Sequence, residues 1–260
     1  MSSLFDLSGK VAVITGSSKG IGKAIAMRMA EHGAKVVISS RKQEPCEAVA
    51  KEIRDKGGEA VVRTCNINSK EALQDLVDFT NKTWGKIDIL VSNAALNVHF
   101  GKALSVTDDQ YEKIMGANVR SNFWLANMVA PDMAKRGDGV IIIISSIGGL
   151  RGSDTLPIYA ISKAADMQMA RNLAVEWGAN NVRVNCIAPG LVRTDFARAL
   201  WENPSIYSKT VAQAPLHRIG EPDEIAGCAV MLAAKAGSFI TGQTIVIDGG
   251  VTISGRGSGE

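Results

Sequence analysis

KVAVITGSSKGIG, residues 10–22, is a short apolar, β-branched run that passes directly into small residues and then into a helix-forming stretch. Such a run suits a strand covered on both faces. Gly16, Gly20 and Gly22 leave almost no side chain where the chain must turn. A strand that ends in this kind of turn and opens a helix lets backbone approach a pyrophosphate, and the helix N-terminus favours its negative charge. The spacing is GxxxGxG, not the commoner GxGxxG. The stretch predicts the first βα unit of a doubly wound sheet, with Gly16, Ser18, Lys19, Gly20, Ile21 and Gly22 lying against a dinucleotide.

The same alternation continues outward. Strand candidates are KVAVITG, AKVVISS, EAVVRTC, KIDILVSN, GVIIIISS, NVRVNCIAP and QTIVIDGG. Between them lie helical stretches over Ile21–Glu31, Pro45–Lys56, Lys70–Thr83, Thr107–Arg136, Ile158–Gly178 and Pro222–Ala234. Thr107 to Gln110 has the form of a capping box, and Pro222 suits a first helical position. Pro131 is expected to kink or end the fourth helix. Repeated strand–helix alternation means parallel crossovers, so the fold expected is α/β, a single-domain Rossmann-like sheet of about seven parallel strands with helices on both faces. No linker or internal repeat divides residues 1–260. The expected halves are a cofactor half, about 7–145, and a catalytic and substrate half, about 146–250, with a flexible tail over 254–260. Segments 94–103 and 191–219 break the alternation. Both lie where such sheets bind ligands and are expected to wall a substrate pocket.

The 260 residues are 46% hydrophobic and 21% charged with a net charge of +3, an ordinary balance for a globular protein. The basic residues are spread along the chain, which speaks against a nucleic-acid surface. No apolar run approaches the roughly 18 residues of a membrane span, and the first residues lack the form of a secretory leader. Cys46, Cys65, Cys186 and Cys228 are too far apart for a metal knuckle or redox pair and read as buried thiols of a cytoplasmic protein. His32, His99 and His217 have no ligand spacing, so no metal is expected.

At the end of the second strand, the place where a carboxylate would hold the ribose 2′-hydroxyl of NAD, stands Ser40, followed by Arg41. With Lys19 in the glycine loop, two cations and no carboxylate suit a 2′-phosphate. NADP(H) is therefore the preferred cofactor, with NAD(H) as the second option. Downstream, Tyr159 and Lys163 sit four residues apart in YAISK, on one face of a helix. That spacing is common helix decoration, but an ammonium beside a phenol would also favour the phenolate.

Taken in order, these motifs resemble the short-chain dehydrogenase/reductase (SDR) family in its classical form, over Leu7 to Gly250. The family's TGxxxGxG loop matches Thr15 to Gly22, its NNAG motif appears as Ser92-Asn93-Ala94-Ala95, and its PG motif is Pro189-Gly190. The resemblance implies a ketone or aldehyde reduced to an alcohol, or the reverse, by hydride transfer. Tyr159 would be the general acid/base, and Lys163 would favour the phenolate and bond the nicotinamide ribose. Ser146, thirteen positions before Tyr159, would bond the substrate oxygen, with Ser145 as its structural neighbour. Asn118 would hold a relay water.

The cofactor contacts implied further along are Asn66, Ile67, Asn93, Ala94, Pro189, Gly190, Val192 and Thr194, with Ile187 through its backbone. Asn66 replaces a frequent aspartate, and Ala95 replaces the last glycine of NNAG, where a positive φ would strain it. Leu96, Val98, His99, Phe100, Leu150, Leu156, Phe196, Trp201 and Tyr207 are expected around a small-molecule substrate, a medium-sized, partly apolar ketone or alcohol. The alternatives are a 3-oxoacyl thioester reductase, a sugar or steroid dehydrogenase, or a non-catalytic dinucleotide sensor. A homotetramer is implied by the resemblance alone.

Overall fold

The computed structural model describes residues 4–254; residues 255–260, most of the tail expected to be flexible, lie outside the described residues. Seven strands form one parallel sheet in the order β3-β2-β1-β4-β5-β6-β7. They are β1 (Val11–Thr15), β2 (Lys35–Ser39), β3 (Glu59–Val62), β4 (Ile89–Ser92), β5 (Gly139–Ile144), β6 (Val182–Pro189) and β7 (Thr244–Ile247). Each matches one of the seven expected stretches.

Alternation along each strand assigns residues to two cores. Ala12, Ile14, Val36, Ile38, Ile142 and Ile144 face α1 (Gly20–Glu31), α2 (Gln43–Asp55) and α9 (Pro222–Ala233). Val13, Val37, Ile141, Ile143, Val184 and Cys186 face α3 (Lys70–Trp84), α5 (Ser121–Arg136) and α6 (Pro157–Trp177). The central strands are buried on both sides, which is why they read as unbroken apolar runs. The strand order reverses between β1 and β4, and the crevice outside the carboxyl ends at that point is where such sheets bind ligands.

Two helix expectations change. The stretch 107–136 is not one α-helix. It comprises α4 (Asp108–Met115), a π turn (Gly116–Arg120) and α5. The capping box of Thr107 and Gln110 opens α4 as expected, and Pro222 stands in the first turn of α9. Pro131 does not end the helix, which continues to Arg136. Pro131 and Asn127 are both exposed, so the carbonyl that loses its N–H partner turns to water. The irregularity falls instead at the π turn that contains Asn118. In segment 191–219 the chain forms α7 (Arg198–Trp201) and α8 (Pro204–Gln213). Ser254, the first residue of the expected tail, is tied to Gln213 through its hydroxyl at 2.9 Å.

Among the described residues no helix is long and apolar enough to cross a membrane, and no cluster of His, Cys, Asp and Glu could hold a metal ion. All four cysteines are free. Cys46, Cys65 and Cys186 are buried, while Cys228 is half-buried. Burial pushes the thiols of Cys65 and Cys228 up to about 11, so both stay protonated near neutrality.

Candidate active site

The glycine loop is held in shape by its neighbours. Gly16 and Gly20 have φ of +65° and +56°, a region other residues enter at a cost. The Asn93 amide, at the end of β4, donates to the carbonyls of Thr15 at 2.9 Å and Gly16 at 3.2 Å. Thr15 returns the tie: its hydroxyl accepts from the backbone N–H groups of Asn93 at 3.0 Å and Ala94 at 3.1 Å. A Cβ on Gly22 would lie 2.4 Å from the Gly16 carbonyl oxygen, so only glycine closes this turn. Helix α1 then begins with no side-chain cap on its first N–H groups and no acidic residue in its first turn. Unsatisfied donors at the positive end of a helix, facing a crevice, fit the pyrophosphate of a dinucleotide.

A single cavity of about 1050 Å³ runs from this loop across the strand ends. Gly16, Ser18, Lys19, Gly20, Ile21, Gly22, Ser40, Arg41, Asn66, Ile67, Asn93 and Ala94 line the end beside the glycine loop. Ser146, Tyr159, Lys163, Pro189, Gly190, Val192 and Thr194 line the rest. Of the two expected cations, Lys19 is engaged by Asp195 at 3.3 Å, whereas Arg41 has no ion-pair partner among the described residues. Asn66 accepts from the Asn68 backbone at 3.2 Å. Thr194 packs beside Gly20, where a Cβ would stand 3.2 Å from its methyl. Ala95 carries no positive φ, so the alanine is unstrained there. Ile187 is outside the cavity, and its carbonyl is taken by the Ser145 N–H at 2.7 Å.

The two serines part as alternation requires. Ser145 is buried and donates its hydroxyl to the Lys163 carbonyl at 2.7 Å. Ser146 opens a short 3₁₀ turn, and its Oγ accepts from the Gly148 N–H at 3.0 Å. Among the described residues no acceptor takes its own hydroxyl hydrogen. That turn presses on α6: a Cβ on Gly149 would lie 2.6 Å from the Ala164 nitrogen. Ser146 and the Tyr159–Lys163 face are thereby held together.

Lys163 is 2% exposed. Its Nζ lies 5.8 Å from the Tyr159 ring centroid and donates to the Ile144 carbonyl at 2.9 Å and to Asp166 Oδ2 at 3.0 Å. Burial opposes the ammonium, but the interactions that favour it, the attraction of Asp166 first among them, outweigh it and hold the Lys163 pKa above the ordinary lysine value. Asn118 does not line the cavity. Its amide accepts from the Leu96 N–H at 2.7 Å and donates to the Leu96 carbonyl at 2.9 Å and to Ser162 Oγ at 3.0 Å. Asp166 and Asn122, both buried beside Lys163, were not legible as site residues; an acid three residues after a lysine reads as an ordinary surface pair.

This geometry can be set beside known proteins. Residues 16–252 match the family model described as Enoyl-(Acyl carrier protein) reductase. The chain is similar to dehydrogenase/reductase SDR family member 4 of Bos taurus, 42% identical over 244 residues, covering 94% of this chain and 88% of the relative. The chain belongs to the short-chain dehydrogenase/reductase family. Like other members, this SDR is an oxidoreductase of CH–OH and carbonyl groups that uses NAD(P). Two solved structures share its fold closely. A 7α-hydroxysteroid dehydrogenase complexed with NADH and 7-oxo glycochenodeoxycholic acid is 38% identical, with a TM-score of 0.91 over 95% of each chain. A gluconate 5-dehydrogenase from Burkholderia cenocepacia, in complex with NADP and tartrate, is 32% identical, with a TM-score of 0.92 over 96% of this chain and 97% of that one.

Of the residues expected around a substrate, part of the set walls the cavity of this SDR. Leu96, Phe100, Leu156 and Phe196 line the cavity, and the Phe196 ring is centred 6.3 Å from that of Tyr159. Val98, His99, Leu150, Trp201 and Tyr207 do not. Trp201 turns back to brace its own loop, donating Nε1 to the Thr194 carbonyl at 2.8 Å with Arg193 over its ring. Tyr207 faces a separate recess with Arg193 and Arg218. Leu200, Asn203, Ile206, Thr210 and Gln213 from α7, α8 and their junction take the vacant places.

Proposed function

We propose that this SDR interconverts a ketone or aldehyde and an alcohol with NADP(H), using Tyr159 as general acid/base. The observation that carries the reading is the convergence of Ser146, Tyr159 and Lys163 on the same cavity as the glycine loop. When bound, the nicotinamide supplies or accepts the hydride. In reduction, Tyr159 donates its phenolic proton to the carbonyl oxygen as the carbon becomes an alcohol; in oxidation the phenolate takes that proton back. Ser146 donates to the same oxygen and holds the negative charge that develops on it. Lys163 stabilises the phenolate left after donation, and it would hold the nicotinamide ribose of the bound coenzyme. The part of Asn118 runs through its bonds to Leu96 and Ser162, which join the cavity loop to the helix of Tyr159 and Lys163. Exchanging the serines separates their roles: Ser146→Ala is expected to lower kcat by about a hundredfold, while Ser145→Ala keeps most of it, as steady-state rates would show. Comparable losses in both would overturn the assignment.

The NADP(H) preference rests on Arg41 and the absence of a carboxylate at the end of β2. A guanidinium bonded to the 2′-phosphate contributes about 1.5–3 kcal/mol. Arg41→Asp is therefore expected to raise the Kd for NADPH by roughly tenfold to a hundredfold and to spare NADH. Fluorescence titration of both coenzymes measures this, and unchanged NADPH affinity would remove the argument. The substrate is proposed to be a medium-sized, partly apolar carbonyl or alcohol, given Leu96, Phe100, Leu156 and Phe196. We further propose one catalytic domain, assembly as a homotetramer and a cytoplasmic location, the assembly being measurable by light scattering.

A further inference from the structure

The Lys163–Asp166 pair is closed to water on both sides: Lys163 is 2% exposed and Asp166 0%. The Asp166 carboxylate is divided between two partners. Oδ2 receives Lys163 Nζ at 3.0 Å, and Oδ1 receives the Asn122 amide at 3.0 Å. Asn122 is itself fixed, since its Nδ2 also donates to the Asn118 carbonyl at 2.6 Å. The acid is thus oriented by α5 and the π turn while it holds the ammonium on α6. We propose that Asp166 is a positioning residue of this active site, the internal counter-ion that aims the Lys163 ammonium and keeps it charged where no water can. The inference rests on the catalytic reading of Lys163 given above.

The groups around the pair leave this task to Asp166. Beyond Lys163, α6 brings Tyr159 to it. From β6 comes Cys186, whose Sγ donates to the Asp166 carbonyl at 3.3 Å and whose thiol burial pushes far up, so it carries no charge. From β5 come the Ile144 carbonyl and Ser145, and from the π turn and α5 the neutral Asn118 and Asn122. Arg171, further along α6, acts weakly on Cys186. Among the described residues, Asp166 is the carboxylate in contact with Lys163. Without it, desolvation is the largest influence on the ammonium and favours the neutral amine.

The test is the pH dependence of NADPH affinity, read by coenzyme fluorescence from about pH 7 to about pH 10, below the ordinary lysine pKa. With Asp166→Asn, affinity is expected to fall at least about tenfold across that range relative to the wild type, as Lys163 loses its proton. Asp166→Glu, which restores the charge, is expected to return most of the wild-type profile. Asp166→Ser serves as the neutral variant if the Asn protein does not fold. A neutral variant whose NADPH affinity tracks the wild type at every pH overturns the proposal, whatever its melting temperature. A Glu variant as pH-sensitive as the neutral one also overturns it. The reading beneath it fails separately, by absence of coenzyme binding in the wild type or by full turnover in Tyr159→Phe.

Discussion

Tyr159→Phe is expected to lower kcat by at least about a thousandfold while NADPH affinity stays within about twofold of the wild type. The change removes one oxygen and leaves the ring, so the packing against Phe196, 6.3 Å between centroids, is kept. The Lys163 ammonium also stays in place, because its two hydrogen bonds go to the Ile144 carbonyl and Asp166 rather than to the phenol. What disappears is the proton that, in the proposed reading, must reach the carbonyl oxygen. Ser146 has a hydroxyl there, but an alcohol is a far weaker acid than a phenol. Rates with an activated diketone and NADPH, beside a fluorescence Kd, measure both quantities. Retention of more than about a tenth of the wild-type rate would assign the proton to another group.

The sheet was legible because burial on both faces leaves a direct mark. Val140 to Ile144 could be a strand or a short buried helix by composition, and the glycines and serines that bound it decide for the strand. The glycine loop was legible for a local reason: its turn requires small residues, and a Cβ at Gly22 would overlap the Gly16 carbonyl. The failures share a different origin. Proline at 131 does not end α5, because it and Asn127 lie on the exposed face, where the carbonyl without an N–H partner is open to water. Trp201 looked like a substrate wall because it is large and apolar, but its indole N–H found a carbonyl in its own loop. Asp166 gave no signal of its own in the sequence: α6 is buried along much of its length, so no polar face marks which of its charges lie inside. Residues whose role depends on what a distant element places against them leave no periodic signal.

The largest stability effect is expected at Lys163→Met. Methionine keeps most of the apolar stem, so the cavity left is small, yet Asp166 is stranded as a buried carboxylate with Asn122 as its remaining partner among the described residues. Removing one partner of a buried pair costs about 3–5 kcal/mol. The sign of its pH dependence follows from Asp166. Burial already raises its pKa, with Lys163 and Asn122 pulling the other way. Loss of Lys163 removes the stronger of those opposing influences, so the folded variant binds a proton that the unfolded chain has released. Stability relative to the wild type is then highest in acid. It falls as pH rises through the already raised value that Asp166 has in the folded wild type, where the two proteins begin to differ in bound protons, and reaches its full deficit once Asp166 ionises inside the folded variant. Melting temperatures across a pH series check this, and the double variant Lys163→Met/Asp166→Asn is expected to recover much of the loss at neutral pH, since the stranded charge is gone. It should not recover turnover or coenzyme affinity, because the ammonium is still missing. A double variant as unstable as the single one would mean that Lys163 acts on the fold through its bond to the Ile144 carbonyl and not through Asp166.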